Sequence, residues 1–326
     1  MAVPQQPQNI YEQQARNKRM TYVIMFVFVG FLALLGVGFD LYYMGFSTHG
    51  GFVPIGTFGA VALGFGSSYW SLRNGAKAVL SSSGAVLADE GILQQKQLLN
   101  VVAEMSIASG LPQPKVYVIP DPDPNAFATG SNPNDSYIAV TQGLLDKLNR
   151  EELQGVIAHE LSHIRNYDIR LMTVIAALVG AVLLLSDWSR RGMFFGGGRR
   201  RSGGKAGGQL GLILLVGWIV GIILAPLVSQ LLAMAVSRKR EYLADASGAE
   251  LTRNPLGLAS ALQKIENAGE PTASIKRGAA HLCIADPLGK KVNEKEGFVA
   301  ELFGTHPPIN KRIAALEAMA YHYNPR

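Results

Sequence analysis

The chain has 326 residues, of which 48% are hydrophobic and only 17% charged, and its mean hydropathy is positive. Soluble domains usually carry more charge, so this composition favours a protein associated with a membrane. The net charge of +6 is modest, and no Arg–aromatic pattern indicates nucleic-acid binding. Cys283 is the single cysteine, which excludes an internal disulfide and a cysteine-rich zinc site.

The start of the chain is predicted to form a membrane hairpin. Residues 1–19 are polar and are expected to be a mobile cytoplasmic arm. Residues 20–39 carry no charge. As a helix they span about 30 Å, which is enough to cross a bilayer. A second uncharged segment at 52–70 completes the predicted transmembrane hairpin, residues 20–70. Basic residues lie before the first segment and after the second, which places both ends in the cytoplasm.

Residues 71–170 are predicted to form the first part of a folded α+β unit. An amphipathic helix is expected to end at Gly110, a residue suited to a C-terminal cap. Segments 115–119 and 137–141 are rich in β-forming residues, with a turn-rich stretch between them.

The run EELQGVIAHELSHIRNYD is predicted to be a helix, with Asn149 and Glu152 forming its N-terminal capping box. His159 and His163 lie four residues apart, so both imidazoles face a common point. Glu160 lies beside that point. This spacing is typical of zinc proteases, in which two histidines bind the ion and the carboxylate handles a proton of the attacking water. The alternative is a helix with surface histidines around an acidic residue.

Residues 171–236 are predicted to form a second hydrophobic hairpin. Its segments are 171–186, which spans only about 24 Å as a helix, and 210–236, which Pro226 is expected to kink. The basic, Gly-rich loop 187–209 would then lie outside, against the positive-inside preference. Two imperfect spans are nevertheless favoured, because the next motif must rejoin the histidine helix on one side of the membrane.

Residues 237–326 are predicted to be the second part of the protease domain. The run SRKREYLADASGAE places Glu241 and Asp245 on one side of a helix, with Ala244 and Gly248 allowing close approach to the histidine helix. Glu241 fits as the third protein ligand that a catalytic zinc requires. Asp245 is expected to accept a hydrogen bond from the far ring nitrogen of a ligating histidine. A solvated charged helix face is the alternative.

With these motifs, the chain strongly resembles the HtpX-like membrane zinc metalloproteases, gluzincins related to the type I CAAX-prenyl proteases. HELSH, EYLAD, PNAFATG and THPP stand in the family's order among the hydrophobic segments, and the resemblance covers nearly the whole chain. It implies one Zn²⁺ bound by His159, His163 and Glu241, with Glu160 as catalytic base. It also implies a multi-pass protein of the bacterial inner membrane, whose cytoplasmic site acts in stress response and quality control.

The resemblance also makes Asn125, Ala126 and Phe127 part of an edge strand that pairs with an extended substrate, although an ordinary turn and strand is the alternative. His306 is a candidate catalytic residue that donates a hydrogen bond to the oxyanion. It is equally suited to capping or packing. Arg312, one turn later, could assist His306, but a solvated helix surface is the favoured position for it.

The predicted fold class is α+β: a mainly helical, zincin-like metalloprotease domain with a small β-sheet, plus four hydrophobic membrane helices. The predicted function is hydrolysis of misfolded or damaged membrane proteins, with polypeptides and the lipid bilayer as partners. Two alternatives are a membrane chaperone or scaffold with a structural metal site and a CAAX-type processing protease. A transporter is disfavoured because its spans would need ionisable residues.

Overall fold

The structure is a computed structural model, and it describes residues 10–44, 54–180, 238–268, 271–275, 277–287 and 307–323. The elements in chain order are α1 (Ile10–Met44), α2 (Ile55–Ser82), β1 (Val86–Leu87), α3 (Leu93–Ser109), β2 (Lys115–Ile119), β3 (Ala126–Asn132), β4 (Asp135–Thr141), α4 (Gln142–Lys147), α5 (Arg150–Arg165), α6 (described over 168–180), α7 (Arg238–Thr252), α8 (Pro255–Asn267), a 3₁₀ turn (Arg277–Leu282) and α9 (Ile309–Tyr323).

Helices α1 and α2 form an antiparallel pair joined through a buried carboxylate. Asp40 near the end of α1 accepts hydrogen bonds from the backbone amides of Gly56 and Thr57, each at 2.7 Å. Those amides belong to the first turn of α2, where they lack partners within the helix. Asp40 therefore fixes the start of α2 against the end of α1.

One helix in the described part of the chain is long and apolar enough to cross a membrane, the 24-residue stretch Tyr11–Leu34 of α1. Large apolar side chains are exposed on both helices of the pair, among them Phe26 on α1 and Leu63 on α2. Helix α2 contains residues 55–70 of the second predicted segment, but it does not meet the same criterion of length and apolarity. The predicted loop 187–209 and fourth segment 210–236 lie outside the described residues, so four membrane helices are not confirmed.

The prediction of a mobile arm is wrong for residues 10–19, because α1 already begins at Ile10. The side chain of Gln14 donates to the backbone carbonyl of Arg165 at 2.8 Å, and that of Asn17 donates to the carbonyl of Asn166 at 2.9 Å. The first turns of α1 are thus held against the end of α5 by polar contacts that composition alone does not reveal.

The third predicted membrane segment begins inside α6, and its described residues, 171–180, are covered by protein. Leu171, Ile175 and Val179 are buried and pack together with residues of α1. Met172 and Ala176 join a second cluster that includes residues of α2 and the sheet. The predicted boundaries at 70/71 and 170/171 fall inside α2 and α6. Each of these helices therefore belongs partly to a predicted membrane hairpin and partly to the predicted unit 71–170.

The four-stranded sheet has the order β1-β2-β4-β3. The two predicted strands are confirmed: 115–119 is β2, and 137–141 lies within β4. They are parallel to each other, whereas β3 folds back as an antiparallel hairpin partner of β4. This hairpin places β3 at the edge of the sheet. The residue pattern alone did not predict β3 as a strand distinct from the turns around it.

Helix α5 lies in the middle of the domain, packed between α3, α7, α8 and β3. Its predicted capping box is confirmed, since Asn149 and Glu152 each bond to the other's backbone amide. The predicted C-terminal cap of α3 is confirmed by Gly110, whose φ is +69°. The core joins the sheet to these helices, and the architecture is the mainly helical α+β fold with a small mixed sheet that was predicted.

Candidate metal centre

The metal centre is built on one face of α5. His159 and His163 are both buried, and their Nε2 atoms lie 3.2 Å apart. The rings meet nearly perpendicularly, with an interplanar angle of 87°. This approach follows from the helix, because residues four apart lie one above the other on its surface. Two nitrogen donors therefore face one point inside the protein.

Helix α7 brings Glu241 to the same point. Its carboxylate oxygens lie 3.9 Å from Nε2 of His159 and 3.7 Å from Nε2 of His163. The close approach of α7 to α5 depends on small residues, as predicted. Ala244 is buried, and a Cβ atom on Gly248 would lie only 3.1 Å from the backbone nitrogen of His159.

The outer nitrogen of each histidine faces a carboxylate. Nδ1 of His163 lies 3.1 Å from Oδ2 of Asp168 in a hydrogen bond. Nδ1 of His159 lies 3.0 Å from Oδ1 of Asp245, at hydrogen-bonding distance although without the alignment of a good hydrogen bond. A proton on each Nδ1 leaves both Nε2 lone pairs free to bind a metal.

The donor set fits a zinc ion. Zinc binds imidazole nitrogen and carboxylate oxygen at about 2.1 Å, and tetrahedral geometry then separates the ligand atoms by about 3.4 Å. One donor atom from each of His159, His163 and Glu241 lies within 4.8 Å of the other two. Small adjustments of side chains that are already buried would bring these atoms to tetrahedral positions.

The electrostatics of the two histidines differ because their surroundings differ. Burial lowers the pKa of His159, and the charges of His163 and Arg312 add to this effect although Asp245 opposes it. Burial also disfavours the charged form of His163, but its hydrogen bond to Asp168 and the charge of Glu241 outweigh burial and raise its pKa to about 9. A metal that binds His163 must therefore displace a proton near neutral pH.

Glu160 is the titratable group of α5 that lies beside the metal ligands without binding a partner of its own. It is buried, and neither carboxylate oxygen makes a hydrogen bond of ordinary geometry with the described residues. Burial raises its pKa to about 7, and the charge of Glu241 acts in the same direction. His163, the amide of Ala128 and Arg312 oppose this rise. The carboxyl is thus poised to gain or lose a proton near neutral pH.

The expectation that Arg312 lies on a solvated surface is wrong, because this side chain is fully buried at the centre. Its Nε and Nη2 atoms donate to the two carboxylate oxygens of Asp245, at 2.8 and 2.7 Å, and Nη1 donates to the carbonyl of Ile284 at 2.8 Å. Burial raises the pKa of Asp245, but Arg312 and His159 outweigh it and lower the value to about 2. Asp245 therefore faces His159 as an anion.

Asp168 is held from the other side by α1 and α7. Its Oδ1 atom accepts a hydrogen bond from the side chain of Asn17 at 2.6 Å and lies 3.4 Å from Nη1 of Arg240. Asn17 belongs to the first helix, far from α5 in sequence. The carboxylate that faces His163 is thus positioned in part by the helix that leads into the predicted membrane segment.

Asn125, Ala126 and Phe127 lie at the start of β3, beside α5, but all three side chains are buried. The amide of Asn125 donates to Oγ1 of Thr272 at 3.1 Å and to the carbonyl of Ala285 at 3.2 Å. Its side chain therefore links the strand to the segment after α8. Any contact of these residues with a substrate would involve the backbone.

The edge of β3 is partly covered in this structure. The carbonyl of Ala126 accepts a hydrogen bond from the amide of Ile284 at 2.9 Å, and Phe127 pairs with Cys283 in an isolated antiparallel bridge. A short segment of the chain itself thus lies where an extended peptide would add to the sheet. His306, the predicted oxyanion donor, lies outside the described residues.

Comparison with known proteins agrees with this geometry. Residues 92–320 match the family described as peptidase family M48. The chain belongs to peptidase family M48. It is also 42% identical to the protease HtpX homologue of Streptococcus gordonii, over 95% of this chain and 100% of that protein. The HtpX homologue of Caldanaerobacter subterraneus subsp. tengcongensis is 44% identical, over 95% and 98% of the two chains.

A third HtpX homologue, from Ligilactobacillus salivarius, is 43% identical over 95% of this chain and 100% of its own length. Among solved structures, Ste24p of S. mikatae is similar at 16% identity with a TM-score of 0.47, covering 94% of this chain and 67% of that one. Family and relatives together establish an HtpX-like M48 metalloendopeptidase.

Three residues of this M48 protease surround the candidate ligands without having been placed there from the sequence: Asn17, Asp168 and Arg312. Asp168 follows His163 by five positions, just past the end of α5, and this spacing is a signal that could have been used. Arg312 and Asn17 carry no such signal. Arg312 reaches the site because α9 packs against α7, and Asn17 reaches it because α1 contacts the end of α5.

Proposed function

We propose that the chain is a zinc endopeptidase in which His159, His163 and Glu241 hold the ion and Glu160 acts as general base. The observation that carries the proposal is the convergence of three buried donors beside a buried carboxyl that makes no hydrogen bond of ordinary geometry with the described residues. When bound, zinc would supply Lewis-acid chemistry, making a water molecule acidic near neutral pH and polarising the substrate carbonyl.

Glu160 takes the proton from the attacking water and passes it to the leaving amine. A general base works best when its pKa lies near the working pH, and burial brings Glu160 into that range. Neither oxygen is held by a hydrogen bond of ordinary geometry from the described residues, which supports this role because the carboxylate can turn towards water and substrate.

Asp245 and Asp168 keep His159 and His163 in the tautomer that binds metal, with Nδ1 protonated and Nε2 available. Arg312 holds Asp245 in place through two hydrogen bonds. We assign His306 as the donor to the developing negative charge on the substrate carbonyl oxygen. In support, the helix that follows it, α9, carries Arg312 into the site.

Substrates bind as extended peptides along the edge of β3, through backbone hydrogen bonds at Ala126 and Phe127. The support is the position of β3 at the edge of the sheet, next to α5. Pairing of this kind recognises the peptide backbone and gives weak sequence preference. In this structure the amide of Ile284 donates a hydrogen bond to the carbonyl of Ala126. Residues 283–284 must therefore move aside when a substrate pairs with this part of β3.

The α1–α2 pair anchors the enzyme in the bacterial inner membrane, with the metal centre on the cytoplasmic side. Exposed apolar side chains on both helices and the basic residues beside them support this placement. The segments at 171–186 and 210–236 complete a multi-pass protein. Misfolded or damaged membrane proteins are the proposed substrates, because the site lies close to the surface from which their loops emerge.

The test compares cleavage of casein, an unfolded polypeptide, by the full chain purified in detergent, after metal removal and again after zinc is returned. Glu160→Gln should bind zinc as wild type does and cut at least about 1000-fold more slowly, since the variant lacks the base. Glu151→Gln, an exposed acidic position on the same helix, is the matched control and should cut like wild type.

Cleavage that survives Glu160→Gln would remove that residue from the role of base. If wild type and variant both bind zinc and neither cuts casein, the scaffold alternative becomes the better reading of the site.

A further inference from the structure

A cavity of about 280 Å³ lies away from the metal centre, where α2 meets the β3–β4 turn and the start of α6. Arg73 of α2 and Arg170 of α6 both line it, opposite Ser131 and Asp135 of the turn. Two cationic side chains therefore share a small space with one anionic side chain.

The single carboxylate does not neutralise these arginines. Asp135 accepts hydrogen bonds from Oγ of Ser131 and from the hydroxyl of Tyr137, each at 2.8 Å. Within the described part of the chain, the two arginines contact tyrosines instead: Arg73 lies over the ring of Tyr69, and Arg170 binds Tyr22. The lining of the cavity thus keeps an excess of positive charge.

The guanidinium of Arg170 is held by Tyr22, but one of its N–H donors makes no hydrogen bond with the described residues. Its Nη2 atom donates to the hydroxyl of Tyr22 at 2.8 Å, and its guanidinium lies over the ring of that tyrosine. Its Nε–H group is buried and has no hydrogen-bond partner among the described residues. A buried donor on a cation is costly when unpaired, so this group is suited to an anionic acceptor.

The cavity lies at the level where the apolar parts of both hairpin helices begin. Tyr22 of α1 and Tyr69 and Trp70 of α2 are at least half exposed there, as aromatic residues at a membrane interface usually are. Arg19 precedes Tyr22, and Arg73 stacks over the ring of Tyr69. An anion in this cavity could therefore belong to a lipid headgroup.

We propose that this cavity binds a phosphate group, and that the phosphate is the headgroup of an anionic phospholipid. Arg73 and Arg170 would bind the phosphate oxygens, and Tyr22 and Tyr69 would lie beside the glycerol backbone. Guanidinium groups suit this role because their donors match the geometry of phosphate. The assignment to a lipid rests on the membrane placement proposed above, whereas the anion site itself does not.

The test measures binding of phosphatidylglycerol to the detergent-purified full chain by native mass spectrometry, with phosphatidylcholine as the neutral lipid. Arg73→Gln/Arg170→Gln should weaken phosphatidylglycerol binding about tenfold or more and leave phosphatidylcholine binding unchanged. Lys96→Gln/Lys115→Gln removes the same charge from exposed positions on α3 and β2, away from this cavity, and should bind like wild type.

A second arm adds inorganic phosphate in place of lipid. Phosphatidylglycerol binding that persists in millimolar phosphate supports the lipid headgroup, whereas its full displacement overturns the lipid assignment in favour of a soluble phosphate. Equal loss of phosphatidylglycerol in both double variants, or no loss in either, overturns the proposal. Casein cleavage is measured in the same samples, so a failure of this site is separate from a failure of the hydrolytic function.

Discussion

The buried pair of Arg312 and Asp245 allows a sharp test of how the centre is held together. Arg312→Met keeps much of the side-chain volume but removes the cation that faces the carboxylate of Asp245 at 2.7 and 2.8 Å. The variant leaves the buried carboxylate of Asp245 with only His159 beside it, and it also removes the cation that lies 3.7 Å from the carboxylate of Glu241. Breaking a buried ion pair on one side costs about 3–5 kcal/mol, because the remaining charge has lost its compensation.

This loss would be a large part of the stability of the domain, since whole domains unfold at a cost of about 5–15 kcal/mol. The assay is urea unfolding of the detergent-solubilised full chain, followed by far-ultraviolet circular dichroism. Metal is removed first, so that zinc binding does not contribute to the measured free energy. Arg150→Met is the matched control, because Arg150 pairs with Glu104 at an exposed position, and it should cost less than about 1 kcal/mol.

The double variant Arg312→Met/Asp245→Asn decides between charge and packing. If the uncompensated anion causes the loss, replacing it by a neutral amide should recover at least about 1 kcal/mol relative to Arg312→Met alone. A double variant as unstable as the sum of the two single variants would refute the electrostatic reasoning. A loss below about 1 kcal/mol in Arg312→Met would refute it as well.

Three further predictions concern other parts of the domain. Burial raises the pKa of Glu152, but its hydrogen bonds from Lys264 and Ser260 outweigh burial and lower the pKa from its ordinary value. Its stabilising effect is therefore present above the unfolded-state pKa and is lost as the pH falls through the folded-state pKa. Glu152→Gln should unfold more easily than wild type at pH 7, and a difference that does not shrink on acidification would contradict this. Asp168→Asn should weaken zinc binding about 10- to 100-fold in competition with a chelator, whereas Gln14→Ala, which alters another α1 contact to the same region, should not. Gly248→Val should push α7 away from His159, because a Cβ atom there would crowd the backbone of α5. It should lower zinc affinity and reduce the free energy of unfolding by about 1–3 kcal/mol. Unchanged zinc affinity would argue against this close approach.

The sequence by itself determined those features that depend on local spacing. The four-residue interval between His159 and His163 fixes both rings on one face of α5, and the Asn149–Glu152 box fixes where that helix begins. The interval between Glu241 and Asp245 likewise fixes both carboxylates on one side of α7. Helical geometry repeats every 3.6 residues, so these relations follow from counting along the chain.

Only the tertiary structure decided which distant residues surround the ligands. Arg312 reads as a surface residue within its own helix, yet α9 packs so that this side chain enters the centre and binds Asp245. Asn17 reads as part of a polar arm, yet α1 docks on α5 and reaches Asp168. Whether a polar side chain is buried depends on a partner from another element. That pairing is a property of how helices pack, and no periodicity within one segment encodes it.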